Sequence, residues 1–351
     1  MHKALHPHSP WRIFAVSGLV TIASIVGVLL GYGAKAMLLA LILIAVELAF
    51  SFDNAIVNAK VLKNMSSFWQ VMFLTIGAAI AIFGMRLVFP ILLVAVTADL
   101  SWQKVIDLAL HHPEEYADKL HQSHVQLSAF AGSFLLMLAL HFFIDDRREV
   151  LWLDWIEKGF RKLAFDWVPA VLTTCLVVGA ALLPFNEEPK HTLVAGLIGV
   201  VTYGIIHFVG SRFGQMEDRR ANAAKQVGLA GLVSFLYLQV LDITFSFDGV
   251  LGAFAVTGDV VLIAIGLGVG AMWVRSLTVF MVRRGTLDKL LYIEHGAYYA
   301  IGILACLMLL SIFVNVPDLI AGLTGVGVIT ASLIASRQAI ASGHGTAAKV
   351  K

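Results

Sequence analysis

Glu47-Leu-Ala-Phe-Ser-Phe-Asp53-Asn54 puts two carboxylates inside an apolar run that otherwise reads as a membrane span. The phrase returns as Asp242-Ile-Thr-Phe-Ser-Phe-Asp248-Gly249, with Phe-Ser-Phe-Asp intact and an acid again six residues before its Asp. A carboxylate near the bilayer centre costs roughly 2.5–3.5 kcal/mol on insertion scales, so acids at such depth need partners and mark a functional site.

The rest of the chain has the same character. Of 351 residues, 59% are hydrophobic and 14% charged, and the mean hydropathy is +0.86, which excludes an ordinary soluble domain. Uncharged runs predict about ten transmembrane helices, near 13–33, 36–60, 66–97, 125–144, 167–185, 192–211, 227–256, 260–282, 296–315 and 318–336. The expected fold class is therefore an all-α polytopic membrane protein. Ala34-Lys-Ala36 resembles a signal-peptidase site, but the run before it is long for a cleaved leader, so the first span is expected to stay. The net charge of +2 carries no nucleic-acid footprint. Cys175 and Cys306 lie in separate apolar runs without CxxC spacing, which predicts packing residues and no disulfide.

Charge placement orients the spans. With the N-terminus in the cytoplasm, the outer segments hold only Lys35, Lys104, Lys119 and Lys190, and Arg86 and Arg275 lie within spans. The remainder of the 25 Lys and Arg then face inward, a strong positive-inside bias that puts both termini in the cytoplasm. The two acidic phrases fall on spans separated by an odd offset and so run antiparallel. The next span in each half carries one arginine, Arg86 in Gly84-Met-Arg86-Leu and Arg275 in Trp273-Val-Arg275-Ser. These correspondences predict an inverted 5+5 repeat, residues 1–190 and 191–351, of the kind that places a transporter site at mid-membrane.

Two connections are longer. Residues 99–124 contain His111, His112, Glu114, Glu115, Asp118, His121 and His124, read as a solvated polar loop in preference to a metal-recruiting rim. Residues 145–166 carry aromatic and apolar residues at helical spacing among charges, which predicts an amphipathic interfacial helix. His141 and His207, alone on apolar spans, read as satisfied core residues, and the glycines of Ile265-Gly-Leu-Gly-Val-Gly270 as close-packing positions.

On a helix, Glu47, Ser51 and Asn54 share one face, as do Asp242, Ser246 and Gly249, while Asp53 and Asp248 point about 120° away. Either one acid of each copy faces the pseudo-symmetry axis while the other faces the neighbouring arginine, or the helix loosens near Phe-Ser-Phe-Asp and turns both acids inward. Four carboxylates (Glu47, Asp53, Asp242, Asp248) against two arginines (Arg86, Arg275) leave a formal surplus of two negative charges. A divalent cation would neutralise it, and carboxylate, hydroxyl and amide oxygens suit Mg²⁺, Ca²⁺ or Mn²⁺. Protonation of two acids would balance it as well, which suggests proton-coupled exchange. No nucleophile or HExxH arrangement is present, so no enzymatic activity is expected.

At these residues the sequence resembles the TerC family of integral membrane proteins, the tellurium-resistance and Alx-like group. Glu47, Ser51, Asp53 and Asn54 match its first motif; Asp242, Ser246 and Asp248, with Phe254-Ala-Val-Thr257 and Arg275-Ser276-Leu277, resemble its second. Tyr292 and His295 lie in a stretch similar to one before a late span of that family. Gly249 departs from the small polar residue many members carry there, and ten spans exceed the usual count. The resemblance implies manganese efflux, or metal supply to exported enzymes, with tellurite tolerance in some members.

The expected function is thus export of a divalent metal ion, Mn²⁺ first, from a multi-pass protein of the bacterial inner membrane. The alternative is a membrane metal sensor or partner protein in metal or tellurite stress. Metal ligands are expected among Glu47, Asp53, Asn54, Asp242 and Asp248, supported by Ser51, Ser246, Arg86, Arg275 and His295. Mn²⁺ enters as substrate, with no tightly bound cofactor. Expected partners are lipid and the metal ion, with a homo-oligomer or exported metalloenzymes left open and no nucleic acid.

Overall fold

The computed structural model describes residues 10–146, 148, 150–218, 227–285, 290–314 and 316–342, with side chains described at all but some helical positions, Ala49, Phe50, Phe247 and Asp248 among them. Among the described residues there are helices and no strands, and eight helices are long and apolar enough to cross a membrane. The chain is an all-α polytopic membrane protein. On Pro189–Asp218 the residues Val194, Ile198, Val201, Ile205 and Phe208 form one outward stripe, each more than half exposed. In water such a stripe would be a large unfavourable patch, whereas in lipid it is the ordinary outer face of a span.

The chain forms two compact units, Met1–Ser123 with Lys225–Thr286, and His124–Ala224 with Leu287–Lys351. Each draws on both sides of residue 190, so the units are not the sequence halves 1–190 and 191–351.

In the first unit, α1 (Pro10–Phe50) is helical except at Gly33, whose φ of 85° and ψ of 179° suit only glycine. Ser17 bonds Met272 and Ser276, while Glu47 lies against Gly270. Both Val28 and Ala36 pack on Leu262. Residues about equally far before and after Gly33 thus meet one level of α13 (Val260–Arg284), so α1 folds back at Gly33 into two arms. These arms are the expected first span and the start of the second. The second arm breaks at Ser51 (φ −95°, ψ 18°) and resumes as α2 (Phe52–Lys63).

The third expected span is segmented. It comprises α3 (Ser67–Leu74), α4 (Ile76–Ala79), a π-helical stretch Ile80–Val88, and α5 (Phe89–Thr97). Pro90 opens α5; it has no amide proton and its ring crowds the carbonyl four residues back, which favours a widened register just before it. Residues 99–124 are not an open loop: α6 (Trp102–His111) and α7 (Pro113–Gln122) bury Val105, Leu108, Tyr116 and Leu120. The Tyr116 ring sits 5.8 Å from that of Phe254.

In the second unit, α8 (His124–Ile144) is buried along most of its length. Within residues 145–166 a helix is present as α9 (Asp154–Arg161), with Trp155 outward and Glu157 inward. The fifth expected span is shorter than predicted: α10 (Val168–Leu182) has 15 residues, because Leu183 precedes Pro184 and is extended. The unit is completed by α11 (Pro189–Asp218), α14 (Ile293–Leu310) and α15 (Asp318–Ala341). Contrary to the packing role expected of them, Cys175 and Cys306 are exposed free thiols. The second acidic phrase lies in the first unit, on α12 (Gly228–Val256).

Candidate intramembrane acid site

Two glycines of α13 let it approach the arm of α1 that carries Glu47. A methyl group on Gly270 would come within 2.6 Å of Glu47 Cβ and Cγ, and one on Gly266 within 2.5 Å of Leu43 Cβ. Gly268 faces Ile82 instead, so the glycine run packs on two neighbours, as its sequence suggests. On the other side Glu47 Oε2 would lie 3.0 Å from a methyl on Gly249. Further along, Asn54 and Asn58 reach Asp242. Numbers rise along the first phrase as they fall along the second, so the two helices run antiparallel.

Each first acid is paired with an arginine. The Arg86 guanidinium is ion-paired with Glu47 Oε1 and donates to the Ala81 carbonyl at 2.8 Å, and Ser51 Oγ donates to Glu47 Oε1 at 3.2 Å. Arg275 is ion-paired with Asp242 Oδ2 and donates to the Phe73 carbonyl at 3.0 Å. Asn54 Nδ2 and Asn58 Nδ2 both donate to Asp242 Oδ1, at 3.1 and 3.0 Å. All four charged groups are at least 95% buried.

Glu47, Ser51, Asn54, Arg86, Asp242, Ser246 and Arg275 line one small cavity, with room for about one water molecule. The two acids and two arginines on its wall balance one another in formal charge. Asp53 is buried but is not on the cavity wall; its carboxylate accepts the Asn54 amide proton at 2.8 Å as α2 begins. The helix runs unbroken through Asp248, whose side chain lies outside the described residues.

His295 is in the second unit, where its Nε2 is 3.0 Å from the Val150 carbonyl and 3.5 Å from Glu157 Oε2. Glu157 also accepts from the amides of Trp152 and Leu153 and from the Tyr299 hydroxyl, so this cluster ties α9 to α14. Outside the spans, burial pushes Arg148 down to about 10, against the pull of Tyr298 and nearby carboxylates. His141 bonds the Met137 carbonyl and its ring packs against that of His207, with centroids 4.5 Å apart. Among the described residues no group of three or more His, Cys, Asp or Glu could hold a metal ion, the 99–124 segment included.

Sequence reasoning missed Asn58 and Gln239. Asn58 stands one turn after Asn54, and Gln239 nearly one turn before Asp242, so helical periodicity from the phrase itself could have found both. Gln239 is 6% exposed, and neither of its side-chain polar atoms has a partner among the described residues.

A many-span helical membrane protein with two buried acid–arginine pairs facing one cavity is the class these observations define. The chain belongs to the family described as protein of unknown function (DUF475), whose model matches residues 52–341. No curated protein and no solved structure matches it.

Proposed function

We propose that the protein is a secondary transporter that exports a hard divalent cation, Mn²⁺ first, from the bacterial cytoplasm through the Glu47–Asp242 cavity. In this reading the phrases belong to an inverted repeat of a TerC-like protein, with both termini cytoplasmic. The observation that carries it is the convergence of Glu47 and Asp242, buried side chains from antiparallel helices far apart in sequence, on one small cavity. Intramembrane acids facing such a cavity are the usual mark of an ion path.

The arginines act as tethered counter-ions for the empty site. With Arg86 on Glu47 and Arg275 on Asp242, no acid on the cavity wall is left unpaired. An entering cation takes their place on the carboxylates, and Ser51, Asn54 and Ser246 supply neutral oxygens.

Purified protein in liposomes tests this with a Mn²⁺-sensitive dye inside. Wild type is expected to move Mn²⁺, and Glu47→Gln and Asp242→Asn to lower the rate at least tenfold. Binding without flux in wild type would replace the transporter with the metal-sensor reading.

A further inference from the structure

Beside the cavity lies a group of buried carboxamides: Asn54 and Asn58 give their amide protons to Asp242, but the acid pairs engage neither their oxygens nor Gln239. Asn54, Asn58 and Gln239 are 5%, 1% and 6% exposed. Among the described residues Asn54 Oδ1, Asn58 Oδ1 and both Gln239 side-chain polar atoms are unpartnered. A buried polar group without a partner costs about 1–3 kcal/mol. At membrane depth no bulk water relieves that cost.

The group has a direction. Asn54 lines the cavity, and Asn58 lies one turn, about 6 Å, further along α2. Gln239 lies about 4.5 Å before Asp242 along the antiparallel α12, and therefore on the same side of Asp242 as Asn58. Gly77 gives it room: a methyl there would come 3.2 Å from Gln239 Nε2 and 2.8 Å from Arg275 Nη1.

We propose that Asn54, Asn58 and Gln239 form a carboxamide step that passes a partly dehydrated hard divalent cation between the acid cavity and the Lys63 end of α2. The step rests on the transport reading and names a segment of its path. Carbonyl oxygens replace the water that a hard cation gives up. They carry no net charge, so they lower the barrier without making a well deep enough to trap the ion, the balance that conduction requires. They do not titrate, which makes the step a route for cations rather than a side-chain proton relay.

Gln239→Leu in the full-length protein separates a path residue from a structural one. It removes orphaned polar atoms at similar volume, so thermal stability in detergent is expected to hold or rise. Mn²⁺ flux in liposomes is expected to fall at least tenfold, while Gln239→Glu, which keeps oxygen donors, retains more flux than the leucine variant. Asn58→Leu is expected to slow flux as well. Should Gln239→Leu insert poorly, Gln239→Met carries the same test with a more flexible apolar chain. Flux within twofold of wild type in the Gln239→Leu or Gln239→Met protein overturns the step while leaving the transporter standing. Absence of flux in wild type overturns the transporter, and the step with it.

Discussion

The two acidic phrases share a tetrapeptide and differ in how the backbone carries it. The first is broken: Glu47 ends one helix, Ser51 leaves helical geometry, and Asp53 opens the next. The second lies inside the unbroken α12. Their acids differ accordingly. Glu47 takes Arg86 and Ser51 on one oxygen and leaves the other beside the Gly249 backbone. Asp242 has both oxygens engaged, by Arg275 on one and by Asn54 and Asn58 on the other. Sequence identity over four residues thus yields one acid engaged through a single oxygen among the described residues, on a jointed helix, and one acid engaged through both, on an unbroken helix. A site that must both select and release an ion can use that division.

The largest expected effect tests the fixed side. Arg275→Ala leaves Asp242 without its counter-ion and the Phe73 carbonyl without its donor, and should cost about 3–5 kcal/mol, read as lost thermal stability in detergent. Arg86→Ala should cost less, because Glu47 stands beside the Ser51 joint and can move. Equal losses would erase the distinction between the copies.

Gly270→Ala comes next. Its methyl would press on the Glu47 stem, so about 1–3 kcal/mol and most Mn²⁺ flux should be lost. Gly249→Ala, which meets only the movable end of Glu47, should be milder in the same assays. Smallest is Ser51→Ala, which removes one hydrogen bond to Glu47 and should cost about 0.5–1.5 kcal/mol. A neutral outcome would mean that the joint does not depend on that bond.

Much of this was legible in the sequence, because lipid demands long apolar helices and makes every buried acid conspicuous. One charge per neighbouring span makes an acid–arginine pair in each copy legible, but not that Glu47 and Asp242, rather than Asp53 and Asp248, are the acids paired. The π-helical register around Arg86 was not legible, since it turns on how Pro90 is absorbed four residues later. Nor was the role of Asn58, whose meaning depends on an acid 184 positions away. His295 was grouped with the acids by resemblance, yet its partners are Val150 and Glu157, which sequence distance hides.

Equilibrium titration of purified full-length protein with Mn²⁺ tests most directly whether the two phrases make one cation site. One ion per chain is predicted, lost in Glu47→Gln and equally in Asp242→Asn. Two ions per chain, with each substitution removing only one, or binding indifferent to both, would contradict it.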